Sequence, residues 1–311
     1  MIRSPAILKK ENMKHHVRFL PLMAIVLALA AASCSDKAVD LLTRANAKKA
    51  KGDLDGAIAD YTKAIRLKPN LAEAYSNRGA AELDKHDWDG AIADCTKATE
   101  LKPELAAAYN NRGLAKKGKG DWDGAIEDWT KAIQLKPDLA LAYNNRGLAK
   151  KAKGDLDGAI ADSTKAIQLK PDDDVAYYSR GLAKKAKGDL NGAIADYSKS
   201  IKLKPDDAVA YSSRGLAKKA KGDLDGAIAD YTKTIELKPD DALAYNNRGV
   251  AKQAKRDLDG AIADWTKAIE LRPDLAEAYN NRGLAKKAKG DLAGAGADRD
   301  KAAQLKSESS R

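Results

Sequence analysis

An all-α solenoid of stacked helical pairs is what three features of this 311-residue chain predict. A 34-residue unit recurs without a slip, with copies starting at Ala38, Ala72, Ala106, Ala140, Asp174, Ala208, Ala242 and Ala276. Within each copy apolar residues return every three or four positions on either side of one polar break, the period of two helices rather than of strands. Seven prolines, Pro69, Pro103, Pro137, Pro171, Pro205, Pro239 and Pro273, close the copies at a constant spacing. A repeat of this length marks an architecture in which no unit buries its own apolar face and stacked neighbours complete the core. Eight copies over 38–306 therefore read as one elongated domain, with 307–311 as a frayed tail.

The fourth copy shows how each element is specified. Its first helix is predicted from about Leu141 to Lys153, carrying Tyr143, Gly147, Leu148 and Ala152 on one side. Gly154 supplies the left-handed residue that ends a helix, and Asp155 stands where it caps the amides of the next. The second helix follows with Leu156, Ala159, Ile160, Ser163, Ala166, Ile167 and Leu169 at helical spacing. Pro171 stops it, because proline has no amide to continue the ladder.

Counting Ala140 as position one, an aromatic at four, glycine at eight, alanine at twenty and twenty-seven, and proline at thirty-two resemble the tetratricopeptide repeat. The resemblance covers residues 38 to about 306. It implies a right-handed superhelical solenoid whose first helices line a concave groove, and it says almost nothing about chemistry.

Ahead of the repeats, Lys9, Lys10, Lys14 and Arg18 precede an apolar run, Phe19 to Ala32, that is short for a membrane span and ends in small residues. Residues 1–33 thus read as a secretory signal peptide, with Met13 an alternative true start. The segment Leu29-Ala30-Ala31-Ala32-Ser33-Cys34 resembles the lipobox of bacterial lipoproteins, although Ala31 stands where leucine is usual. The resemblance implies acylation of Cys34, with 34–37 as a short lipidated tether on a membrane surface. Ser35 after the cysteine then implies the outer membrane of a bacterial envelope, facing the periplasm. The competing reading is cleavage nearby by an ordinary signal peptidase, which leaves Cys34 a free thiol.

The end copies depart from the rest, as solenoid caps do. The first has Leu41 in place of tyrosine and Ala45 in place of glycine; the last has Gly296, Arg299, Ala303 and Ser307 where larger or apolar residues, or proline, stand elsewhere. Inside the array, His86 replaces the turn glycine of the second copy and Trp88 its leucine, and Trp122 repeats the latter change in the third.

Net charge is +11; residues 1–33 hold five of the basic and one of the acidic residues, so the remainder carries 51 against 44, or +7. That balance favours anionic partners without naming one, and the plainer reading is that lysine-rich helix faces are simply solvated. The inventory for chemistry is short. His15 and His16 fall in the signal, His86 sits in a turn, and Cys95 occupies a position filled elsewhere by Tyr61, Trp129, Ser163, Tyr197, Tyr231 and Trp265. Cys95 reads as a small buried hydrophobe, and Ser163 is expected to bond back to the Ala159 carbonyl. The recurrent Asp-x-Asp-Gly, as at Asp155 to Gly158, lacks the remaining ligands of a calcium loop and reads as helix capping. No catalytic, metal, cofactor or nucleic-acid constellation is present, so a non-enzyme is expected.

Position seven is arginine and position twenty-three aspartate in every copy, for example Arg112 with Asp128 and Arg146 with Asp162. Arginine where the family usually has leucine needs a partner, so a partly buried Arg–Asp ladder between the two helices is expected, with lysines three residues on also meeting the aspartates.

Carried over by position, the resemblance places the fifth and sixth residues at the groove or its edge. These are Asn110 and Asn111, Asn144 and Asn145, Asn246 and Asn247, and Asn280 and Asn281. Amides both donate and accept, so such a ladder can pair with the backbone of an extended chain. Leu114, Leu148, Leu182 and Leu216 follow at the ninth position and Lys117, Lys151, Lys185 and Lys219 at the twelfth, an apolar stripe with a basic edge. The two-carboxylate clamp of chaperone-binding members needs lysine at five and asparagine at nine, which this chain lacks. The leading expectation is a non-catalytic scaffold of the cell envelope that holds an extended peptide or a partner helix in its groove. Two alternatives stand beside it: electrostatic binding of anionic envelope polymers through the lysine columns, and duplicated surface with no selected ligand.

Overall fold

The computed structural model describes residues 35–309, all of them in helices or the turns that join helices. The signal-like segment and Cys34, and with them the expectation of acylation, lie outside the described residues. Helix α1 covers 35–50, so residues 35–37 of the expected tether form its first turn, where Ser35 Oγ accepts a hydrogen bond from Lys68 Nζ at 3.2 Å. Each later copy supplies a first helix of 13 or 14 residues and a second helix, for example α7 (Ala140–Ala152) and α8 (Leu156–Leu169). The other first helices are α3 (Ala72–Asp84), α5 (Ala106–Gly118), α9 (Asp174–Ala186), α11 (Ala208–Lys221), α13 (Ala242–Ala254) and α15 (Ala276–Ala288). The other second helices are α2 (Leu54–Leu67), α4 (Trp88–Leu101), α6 (Trp122–Leu135), α10 (Leu190–Leu203), α12 (Leu224–Leu237), α14 (Leu258–Leu271) and α16 (Leu292–Ser309).

The described residues form two compact units, 35–137 with three copies and 138–309 with five. In each, a second helix packs on the first helix of its own copy and on that of the next, and consecutive first helices also approach each other: α3 with α5, α7 with α9, α11 with α13. The row of first helices is thus the inner side of each stack, the side that the family resemblance assigns to a groove.

The turn chemistry is as expected. Gly154 has φ +87°, and the Asp155 carboxylate accepts from Gly158 N at 2.9 Å. The glycine of the Asp-x-Asp-Gly motif is a steric need of that cap: a Cβ on Gly158 would stand 2.1 Å from Asp155 Oδ2. Two turns take the left-handed conformation without glycine, at His86 (φ 61°) and Arg256 (φ 67°). The last helix runs on to Ser309 beyond the expected fray at 306, because Ser307 stands where proline ends the other second helices and Gln304 Nε2 bonds Glu308 Oε1 at 2.8 Å.

The core is made of small residues that let helices close on one another. Alanines such as Ala142, Ala149, Ala176, Ala183, Ala244 and Ala251 are fully or almost fully buried, and the aromatics Tyr61, Trp129, Tyr197, Tyr231 and Trp265 fill the space between the two helices of their copies. Gly249 faces Trp265 so closely that a Cβ there would meet the indole at 2.8 Å. Cys95 takes the aromatic's place in the second copy, wholly buried, and burial pushes its thiol up to about 12. Ser163 takes it in the fourth copy and differs from expectation: its buried Oγ has no hydrogen-bond partner and does not reach the Ala159 carbonyl.

Candidate functional site

The repeated charges decide what is left for binding. Every arginine at position seven meets its aspartate. Arg112 donates from Nε and Nη2 to Asp128 at 2.9 and 2.6 Å, Arg248 to Asp264 at 2.9 and 2.7 Å, and Arg282 to Asp298 at 2.9 and 2.7 Å. A bidentate charge-assisted pair of this kind holds two helices in one register. The guanidinium also lies over the tyrosine of its own helix, as Arg112 over Tyr109 at 5.3 Å. Its remaining Nη1 reaches back to the preceding copy, from Arg248 to Thr232 at 3.1 Å and from Arg214 to Ser198 at 3.0 Å. The third partner of each aspartate differs from the sequence expectation. It is a lysine four residues after the arginine on the first helix, Lys116 for Asp128 and Lys252 for Asp264, rather than one three residues on along the second, because the buried carboxylate points between the helices. These columns are structural mortar.

The second copy breaks this pattern. Glu82 stands where the other copies have lysine, beside Arg78 and Asp94, and its Oε2 is buried with no partner. Burial, with the Asp94 carboxylate adding to it, pushes Glu82 up to about 7.

The expected groove residues divide by position. At five, Asn110, Asn144 and Asn246 are buried, whereas Asn280, in the last copy, is exposed. At six, Asn111 donates to the Ser76 carbonyl at 3.3 Å and Asn281 to Asn246 Oδ1 at 3.3 Å, while Asn145 is nearly buried and Asn247 half-buried. The amide ladder is therefore spent largely on the seams between copies. At nine, Leu114, Leu148, Leu182 and Leu216 are half-buried. At twelve, Lys117, Lys151, Lys185 and Lys219 are half-buried along their stems and meet no carboxylate among the described residues. Within the unit 138–309, half-burial of Leu148, Leu182 and Leu216 comes from the next copy, since Leu284, in the last copy, is 55% exposed.

A column that the sequence reading missed lies seven residues before the leucines, two turns away on the same helical stripe. Leu141, Val175, Val209 and Leu243, at position two of four consecutive copies, are between 45% and 54% exposed. The i, i+7 spacing from the leucine column places them on that stripe, although the residue type at this position varies from copy to copy. In the unit 35–137 a cavity of about 380 Å³ opens between α3 and α5, walled by Ala80, Leu83, Trp88, Leu114 and Gly118 and rimmed by Lys49, Asp84, Asn111 and Lys117. No group of acidic, histidine and cysteine side chains suited to a metal ion occurs among the described residues, and no described helix is long and apolar enough to cross a membrane.

No curated protein matches the chain. Among solved structures it is similar to YrrB, a TPR protein with an unusual peptide-binding site, at 25% identity over 62% of this chain and 97% of that one, with a TM-score of 0.53. It is similar to MamA at 32% identity over 53% of this chain and 96% of that one, TM-score 0.50. The fold is shared with pilF of Pseudomonas aeruginosa, at 19% identity over 67% and 94% of the two chains and a TM-score of 0.60. The TPR repeat model matches residues 45–85, 118–154, 147–188, 183–222, 217–255 and 254–290, well over half of the sequence. With the helical pairs, the caps and the small-residue core all in place, the chain belongs to the TPR repeat family.

Proposed function

We propose that the protein is a non-catalytic scaffold that holds an extended peptide or a helix of a partner protein along the row of its first helices. The observation that carries this reading is the exposed aliphatic column of Leu141, Val175, Val209 and Leu243 running beside the half-buried leucines. Large aliphatic side chains left about half exposed at the same place on four successive first helices are the mark of an interaction surface. Lysines without ion-pair partners along its edge favour a partner that is acidic there. The peptide-binding site of YrrB, a relative at 25% identity, supports the same reading. The arginines and aspartates, by contrast, are committed to holding the helices together and are not offered to a ligand.

The test is capture of partners by the wild-type chain and by a variant carrying Leu148→Asp, Leu182→Asp and Leu216→Asp, which places carboxylates on the stripe. Loss of the captured proteins is expected; an unchanged set removes the groove reading. The unpaired lysines also favour a second reading, electrostatic binding of anionic envelope polymers, and salt separates the two. Polymer binding collapses as ionic strength rises toward molar, where the screening length is about 3 Å, whereas burial of leucines survives.

The same proposal places the protein in a bacterial cell envelope, held by acyl groups on Cys34 and facing the periplasm, on the strength of the lipobox-like sequence. Cys34→Ala is expected to release it from membranes, and continued membrane association would count against the anchor.

A further inference from the structure

The copies of this chain are so nearly alike that the places where one departs are informative, and among the copies inside the array the departures gather in the second. Ala80 stands where most later copies have leucine, Leu83 where most have lysine, Asp84 where most have alanine, and Trp88 where most have leucine. All four line the cavity between α3 and α5. Across it, Gly118 replaces the alanine that most other copies carry, and a Cβ there would strike the Trp88 indole at 2.7 Å. Two truncations, Ala80 and Gly118, thus open the space, and a lysine-to-leucine change and a tryptophan make its wall apolar. It is an open cleft of about 380 Å³, wide enough to receive a large side chain.

The charges at the rim are unequal. Lys49 Nζ is neutralised by Asp84 at 2.8 Å, whereas Lys117 meets no carboxylate among the described residues. The rim therefore carries one uncompensated cation beside an apolar wall. An ammonium so placed favours a carboxylate on whatever lies over the pocket. A tryptophan that is only partly covered is the kind of side chain that concentrates binding energy.

We infer that the cavity between the second and third copies, within the unit 35–137, is an anchor site that takes one large apolar side chain of an extended partner peptide against Trp88 and an adjacent carboxylate of that peptide at Lys117. This rests on the peptide-scaffold reading above and narrows it for the unit 35–137, where the departures of the second copy select the position of a bound chain. Asp84 holds Lys49 to the rim and leaves Lys117 as the group that reads the charge.

The experiment uses the full chain and fluorescence anisotropy with labelled, short serine–glycine peptides carrying Phe-Asp, Ala-Asp or Phe-Lys at their centre. The Phe-Asp peptide is expected to bind at least about tenfold more tightly than either of the others, the effect of one good anchor contact. Ala80→Leu and Trp88→Leu restore residues that sister copies carry, so they fold as those copies do; each is expected to remove the preference for Phe over Ala. Lys117→Gln is expected to abolish the preference for Asp over Lys while leaving that for Phe. Equal binding of all three peptides to the wild type, no binding of any, or unchanged preferences in Ala80→Leu and Trp88→Leu would overturn the anchor. The groove reading is judged separately by the leucine-to-aspartate variant: lost capture there with an intact preference in Ala80→Leu removes the anchor and keeps the groove.

Discussion

At the scale of single residues, the second copy has exchanged a lysine for Glu82 and so placed two carboxylates beside one guanidinium. The physical consequence is a group that prefers its proton in the folded state. Burial and the Asp94 charge hold Glu82 at about 7, above the ordinary glutamate value of about 4.5. The folded protein thus binds the proton more tightly than the unfolded chain does, so this contribution is fully present below about 4.5 and is lost as pH rises to about 7. Glu82→Lys restores the Arg–Asp–Lys arrangement of the other copies. It is expected to raise the melting temperature at pH 8 and to flatten its decline between about pH 5 and pH 8; a variant that melts with the wild-type pH profile would refute the assignment. Ser163 offers a simpler case. Its hydroxyl is buried and unpartnered, and Ser163→Ala removes an unsatisfied group at the cost of one atom. A gain of about 1 kcal/mol in urea denaturation is expected, whereas a loss would mean the hydroxyl has a partner in solution.

At the scale of helices, what joins them is the arginine at position seven. The sequence announced that it needs an aspartate, since a charged residue stands on a face where leucine would pack. Of its two other contacts, the tyrosine under the guanidinium stands three residues earlier on the same helix, a spacing that makes them neighbours, whereas the threonine of the preceding copy comes within reach only once the helices cross, and no periodicity encodes that crossing. The same limit explains the asparagines. Their spacing put them on the right helix and near the right face, but whether an amide meets a ligand or the next copy depends on the separation between helices. The exposed aliphatics at position two escaped notice for a different reason, since that position varies between leucine, valine, alanine and glutamate and so does not read as a column. The arginine joint gives the prediction proper to this scale. Arg248→Leu leaves Asp264, 4% exposed, with Lys252 alone and is expected to cost about 3 kcal/mol, the usual loss when one member of a buried pair is removed. Adding Asp264→Leu should recover part of that loss in a double-mutant cycle by urea denaturation; strictly additive losses would show that the two side chains act independently.

At the scale of the molecule, the repeat was the most legible feature and the partner the least, for one reason. Period, caps and small-residue core are local, written within 34 residues and then copied, whereas a ligand is selected by departures from the copy, which look like noise until the cavity they share is seen. The same locality governs stability. In the unit 138–309 every helix packs on its neighbour in sequence or on the next first helix, as α13 does on α14, α12 and α15. An array of this kind is stabilised by the intrinsic terms of its copies and by nearest-neighbour interfaces, so loss of distant copies subtracts nothing from those that remain. A fragment spanning 138–309 is therefore expected to keep its full helical signal per residue in circular dichroism and to melt cooperatively. Removing its last copy as well should lower the melting temperature without abolishing the transition. One interface is lost there, and Val250 and Ile269, which pack on the cluster that includes Ala278 and Ala285, become part of the new exposed end. A fragment that is unfolded on its own would mean that long-range contacts, not neighbouring copies, hold the helices together.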